Sequence, residues 1–190
     1  MSLLNTWKAL HKQHKEPLTI LLVLVALGVV SHLVPHTAGI STVGAIGMMS
    51  ALLLPRHLIA IPVLLTIVVF DLIHGTYQIA AMAFVYIAHL AAAWSLTPVL
   101  SPASKKLSLP TFGSAAVLSA VVFYAVSNAT PIALGFYPNT LEGWMTCYMA
   151  GLPFLLKGIL ANVIFGGTEF SGVWLARKVA NGDFAKLTSS

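Results

Sequence analysis

The stretch Leu58-Ile-Ala-Ile-Pro-Val-Leu-Leu-Thr-Ile-Val-Val-Phe-Asp-Leu-Ile73 decides the fold. It is apolar apart from Thr66 and Asp71, and Pro62 sits within its first turns, where a missing N–H costs a helix little. A helix crosses the hydrocarbon core of a bilayer with roughly 20 mostly apolar residues, within a range of about 17–25. Arg56 precedes the run and His74 follows it. The segment therefore reads as a membrane span with a basic entrance and a polar, titratable exit.

Outward from this run, five more segments qualify or nearly so: Leu18 to Val34, Ile40 to Leu54, Ile79 to Leu96, Phe112 to Val126, and Phe154 to Leu175. The first is entered by Pro17, and the Ile40 segment is short and rich in small residues. A long connection, Ser127 to Pro153, separates the last two. Composition agrees, because 58% of the 190 residues are hydrophobic and 8% charged, with a mean hydropathy of +0.90. A soluble domain carries roughly 25% charged residues. A soluble enzyme, a disordered tail and a nucleic-acid-binding domain are excluded on that ground. The single cysteine, Cys147, excludes an internal disulfide and any multi-cysteine metal site.

Orientation follows from the basic residues. Six spans put the N-terminus, the second and fourth loops and the C-terminus on one side. Those segments hold Lys8, Lys12, Lys15, Arg56, Lys105, Lys106, Arg177, Lys178 and Lys186, and the tenth basic residue, Lys157, falls near the start of the last span. Cytoplasmic loops carry the Lys/Arg excess. The expectation is an all-α membrane protein with six transmembrane helices and both termini cytoplasmic, multi-pass in a bacterial inner membrane. Its parts are a basic leader (1–16), one six-helix domain (17–178) and a polar tail (179–190). No small-x-small cleavage site follows the first span, so that span is expected to be retained. The leader is either a short interfacial amphipathic helix or a simple basic anchor.

The opposite side carries the chemistry. Its first connection holds His32 and His36, its second Asp71, His74 and Tyr77, and its third Asn128, Tyr137, Glu142 and Trp144. Ligand sites are concave and mostly apolar, with a few directed polar groups. A pocket roofed by these three connections is expected, with Asp71, His74, Tyr77, Asn128, Tyr137, Glu142, Trp144 and Lys157 as ligand-binding candidates. Asp71 is either a ligand contact or an interfacial carboxylate paired with His74. Lys157 either snorkels to the interface or turns to the pocket to meet Asp71, Glu142 or an anion. His89, inside the fourth span, is read as a histidine bonded to neighbouring backbone. Tyr77, Tyr137, Trp144 and Tyr148 suit an outer aromatic belt. Lys157, Asn162 and Glu169 do not share one helical face, since Asn162 lies about 140° from Lys157 at 100° per residue.

No hydrolytic motif, phosphate-binding loop or ATPase domain is present, so no catalysis is expected. The block Phe136-Tyr-Pro-Asn-Thr-Leu-Glu-Gly-Trp-Met-Thr-Cys-Tyr-Met-Ala-Gly-Leu-Pro-Phe154 resembles the "YPxTLxGLxxCYxxxxPF" pattern of an uncharacterised bacterial family of six-helix membrane proteins. That family is itself similar to the substrate-binding (S) components of energy-coupling-factor (ECF) vitamin transporters. Asp71-x-x-x-Gly75-x-Tyr77 resembles its "SDxxxGxY" loop, with Phe70 in place of the serine, and Ser127-Asn128 resembles its "TN". Asn162 stands where an acidic residue is usual, and Leu156-Lys157 where Arg-Asn is usual.

The resemblance implies an S-component-like bundle and an outward-facing pocket. It also implies capture of a small micronutrient, a vitamin or corrinoid-like molecule, and release within a complex with an ECF coupling module. Were cobalt the contact, His32, His36, His74 or Cys147 would be the candidate ligands. Lipid and a small molecule are the expected partners, with no nucleic acid and no resident cofactor. Two other classes stand beside this one: an accessory subunit of a respiratory or photosynthetic complex, and a haem binder using His74 or His89.

Overall fold

Local chemistry marks some of the helix ends. The computed structural model describes residues 17–31, 40–100 and 108–180, with side chains up to residue 172. Its helices are α1 (Pro17–Ser31), α2 (Val43–Leu53), α3 (Ala60–His74), α4 (Ile79–Ser95), α5 (Leu109–Ser127), α6 (Ala129–Ala133) and α7 (Leu141–Ala180), and a single 3-10 turn spans Arg56–Leu58. The Ser108 hydroxyl accepts from the Thr111 amide, 3.3 Å away, at the start of α5, and Pro110 lies in that first turn. Gly75, at φ +98°, ends α3 in a conformation that side chains resist.

Side-chain register gives the helix directions. Along α5 and α7, Asn128 meets Gly151, Ala120 meets Gly158 and Phe112 meets Gly166, so these two helices are antiparallel. Along α2 and α7, Gly44 meets Asn162 and Met48 meets Gly166, so these are parallel. Asp71 of α3 meets Tyr86 of α4 near the 75–78 connection, and Arg56 reaches Thr97 at the far end, so α3 and α4 are antiparallel. The C-terminal end of α1 meets the start of α2 through a 2.6 Å hydrogen bond between the Ser31 and Thr42 hydroxyls. The long helices thus alternate in direction. One end of the bundle carries Arg56 together with Arg177 and Lys178 of α7, and the other carries Asp71, His74 and the α5–α7 connection.

α2 is the centre. It packs on α3, α4, α5 and α7 and is buried at nearly every position. Ile46, Met48, Leu54, Ile59, Val63 and Leu96 are the largest apolar side chains fully enclosed around it. Small residues permit this close packing, as at Gly47, where an added methyl would stand 3.2 Å from the Ala93 side chain.

Several polar residues lie inside this largely apolar interior, and many large apolar ones face outward. Ser50, Thr66, Asp71, Ser119 and Asn162 are buried, while Leu22, Leu72, Ile79, Ile87 and Leu156 are more than half exposed. In water such an apolar surface would drive aggregation; against lipid it costs nothing. Three helical stretches, Arg56–His74, Leu109–Ala133 and Leu141–Gly172, are long and apolar enough to cross a membrane. The remaining apolar helices are shorter.

Two boundaries differ from expectation. The Ser127–Pro153 segment is not one long connection, because α6 occupies 129–133 and α7 begins at Leu141. Pro153 lies within α7 rather than before it. Proline is tolerated in membrane helices when neighbouring groups satisfy the freed carbonyl. At 40 residues α7 is about 60 Å long, beyond the roughly 30 Å hydrocarbon core. The 1–16 leader and residues 181–190 lie outside the described residues.

Candidate functional site

A cavity of about 340 Å³ lies among α2, α4, α5 and α7. Gly44 lines it from α2, with Ile40 and Ser41 just before that helix. α4 contributes His89 and Ala92, and α5 contributes Ser119, Phe123, Tyr124 and Ser127, with Asn128 just beyond. From α7 come Phe154, Leu155, Gly158 and Asn162, which recur at helical spacing and so share one face. Ile40, Ser41, Ser127 and Asn128 stand at the end of the bundle opposite Arg56, and the cavity runs inward from there. It is an apolar and aromatic chamber with a few directed polar groups.

Two asparagines are held in the same manner. Asn162 is 4% exposed, and its Nδ2 donates to the Ala116 carbonyl at 3.0 Å. Its Oδ1 lies against Gly44, where an added Cβ would come within 2.1 Å. Asn128 donates from Nδ2 to the Tyr124 carbonyl at 2.9 Å, and its Oδ1 lies against Gly151, where an added Cβ would come within 2.2 Å. In both cases a glycine on another helix makes room for the amide.

Aromatic contacts brace the wall. The His89 ring packs on Phe123 with centroids 4.2 Å apart. The Tyr124 hydroxyl donates to the Tyr148 carbonyl, and the Tyr148 hydroxyl donates to the Ala125 carbonyl, which tie α5 to α7. Tyr148 stacks on Trp144 at 5.9 Å, and the Trp144 Nε1 donates to Asn139 at 2.8 Å. This chain of rings joins the outer connection to the cavity.

Of the eight ligand-binding candidates, only Asn128 lines the cavity. Asp71 is buried at the end of α3, and its carboxylate accepts from the Tyr86 hydroxyl at 2.6 Å. Its hydrogen-bond partner is thus Tyr86, while the exposed His74 ring lies against Phe70. The two rings stack at 4.2 Å, and the His74 Nδ1 lies 3.1 Å from the Phe70 carbonyl. Tyr77 sits in the 75–78 connection, where burial and then the Asp71 charge push its hydroxyl above the usual phenol range. Tyr137 is half-buried in the α6–α7 turn, Glu142 is exposed in the first turn of α7, and Trp144 is exposed one turn on. Lys157 is exposed, with its ammonium 5.6 Å from the Phe154 ring centroid. It points off the cavity-lining face of α7.

The weak metal candidates fare as follows. His32 and His36 lie outside the described residues. The Cys147 thiol is buried and donates to the Asn128 carbonyl at 3.3 Å, a contact that packs the α5–α7 connection. Among the described residues no three His, Cys, Asp or Glu side chains stand close enough to hold a metal ion.

Among the described residues the cavity's polar groups come both from helix ends, at Ser41, Ser127 and Asn128, and from within helices, at His89, Ser119 and Asn162. Ser119, His89 and Asn162 were each visible as polar residues inside apolar runs. In a membrane such residues face the protein interior and mark functional positions, which is the signal that attention to the loops missed.

Residues 12–183 match the profile of a protein family described as a family of unknown function (DUF6580). No curated protein and no solved structure matches the chain.

Proposed function

The chain belongs to the DUF6580 family of unknown function, and from its cavity we propose that it is a membrane-embedded binding protein that captures a small micronutrient from the outer face. The carrying observation is the chamber of about 340 Å³ among four helices, reaching the end of the bundle opposite Arg56. Ligand pockets span roughly 300–1,000 Å³. A volume near the bottom of that range suits a vitamin-sized molecule of one or two rings better than a corrinoid macrocycle.

The membrane topology belongs to the same proposal. Alternating helix directions and an apolar exterior support six crossings with both termini cytoplasmic, in the inner membrane of a bacterium. The 11-residue α2 spans about 16 Å and sits inside the bundle, where it meets helices rather than lipid. Arg56, Arg177 and Lys178 then face the cytoplasm. With no site for nucleotide hydrolysis in its sequence, the protein would bind and present its ligand in the manner of an S component. Release would fall to an ECF coupling module or another membrane partner.

Equilibrium binding of a labelled micronutrient panel to the purified protein tests this. Micromolar or tighter binding of one member, with a raised melting temperature, is expected. No binding by any member, together with an unaltered melt, would overturn the proposal.

A further inference from the structure

We infer that the cavity is built for an uncharged, flat heteroaromatic molecule that is hydrogen-bonded at its inner end by Ser119. This inference rests on the binding reading above and names the ligand class for the same site. Among the described residues no Asp, Glu, Lys or Arg side chain lines the chamber, and its one imidazole, His89, packs on Phe123. An ion brought into such a low-dielectric space needs an opposite charge beside it, and the described lining offers no carboxylate, ammonium or guanidinium. Lys157, the nearest cation along α7, lies over the Phe154 ring on another face.

The walls favour a planar occupant. Phe123, Tyr124, Phe154 and His89 place aromatic rings along the chamber, and aromatic groups prefer offset or edge contacts with other rings. The Tyr124 hydroxyl is already committed to the Tyr148 carbonyl, so this residue offers its ring rather than its oxygen.

The ends favour polar atoms on the ligand. The Ser119 side chain is 2% exposed and lines the cavity. A hydroxyl that faces a largely apolar chamber is stabilised by a hydrogen-bonding partner there. A ligand acceptor or donor supplies one. Asn162, beside it, has one amide proton on the Ala116 carbonyl and an oxygen with further accepting capacity. At the outer end Ser127, whose hydroxyl donates to the Tyr124 carbonyl at 3.5 Å, and Asn128 add a second pair of polar side chains, eight and nine residues along α5 from Ser119 and thus about 12 Å away. The chamber is polar at two ends and aromatic between them.

Three probes of one shape separate the possibilities: quinazolinone (neutral, with donor and acceptor), naphthalene (no polar atoms) and naphthoate (an anion). Binding to the purified protein in lipid nanodiscs is followed by intrinsic fluorescence and by thermal shift. Quinazolinone is expected to bind at least tenfold tighter than naphthoate and severalfold tighter than naphthalene. Ser119→Ala is expected to weaken quinazolinone by about three- to tenfold, the worth of one neutral hydrogen bond, and to leave naphthalene unchanged.

Naphthoate binding as tightly as quinazolinone would overturn the uncharged class. Equal loss for quinazolinone and naphthalene in the variant would show Ser119 to be structural only and overturn its role. If no probe binds, the ligand class falls, whereas the capture function falls only if the micronutrient panel also fails.

Discussion

Gly44→Ala gives the sharpest prediction. An ideal Cβ at this position would lie 2.1 Å from the Asn162 Oδ1 and 2.9 Å from its Cγ. Carbon and oxygen cannot approach so closely, so the amide must turn away, and its 3.0 Å hydrogen bond to the Ala116 carbonyl goes with it. Overpacking of this kind costs about 1–3 kcal/mol. The lost interhelical bond adds about 0.6 and at most about 1.7 kcal/mol in a membrane bundle. Alanine recovers up to about 1 kcal/mol over glycine through helix propensity. The net is a destabilisation of about 1–4 kcal/mol, which lowers the melting temperature by roughly 3–12 °C for a chain of this size.

Gly113→Ala is the built-in control. Nothing stands within 4 Å of a Cβ there, so only the propensity gain remains and the melt should rise slightly. Asn162→Ala, combined with Gly44→Ala, removes the obstruction, so the double variant should lie above the sum of the two single effects by at least about 1 kcal/mol. Thermal unfolding in detergent, read by tryptophan fluorescence, measures all four proteins. If both glycine variants shift the melt in the same direction, or the double variant is additive, the Gly44–Asn162 contact is not as described and the cavity wall is wrong.

Other consequences follow from the same geometry. Gly143→Ala should cost more than Gly44→Ala, because its Cβ would fall 2.0 Å from the Pro138 backbone carbonyl, which cannot rotate away; an equal or higher melt would refute this. Tyr86→Phe removes the donor to a buried carboxylate and should destabilise by about 1.5–3 kcal/mol, whereas His74→Ala should change stability by less than about 0.5 kcal/mol. The reverse order in chemical unfolding would return Asp71 to His74. Glu169→Gln should be neutral or stabilising, since the Glu169 Oε2 is buried without a hydrogen-bond partner among the described residues; a loss above about 1 kcal/mol would reveal a partner for the carboxylate. For topology, cysteines placed at His57 and Thr76 should react with an impermeant maleimide from opposite sides of the membrane, with Cys147 buried and silent. Labelling of both from one side would defeat the orientation.

The sequence by itself determined that the chain is helical and apolar enough for a membrane. It also located the helices, because the cost of placing a segment in lipid is a sum over its own residues. The Leu58–Ile73 run and α3 coincide within about two residues, and the Ile79 and Phe112 runs mark α4 and α5 nearly as closely. It misplaced the start of α7 because Pro153, read locally, looks like an entrance. Only the packed bundle shows that a helix already under way carries it. The site was decided by tertiary structure. His89, Ser119 and Asn162 lie on three different helices, and their convergence on one chamber depends on helix packing such as the fit of Gly44 to Asn162 and of Gly151 to Asn128. Those contacts join positions more than 20 residues apart in the chain. Helical periodicity orders side chains around a single axis, but the direction each helix presents to its neighbours emerges only when all of them are packed together.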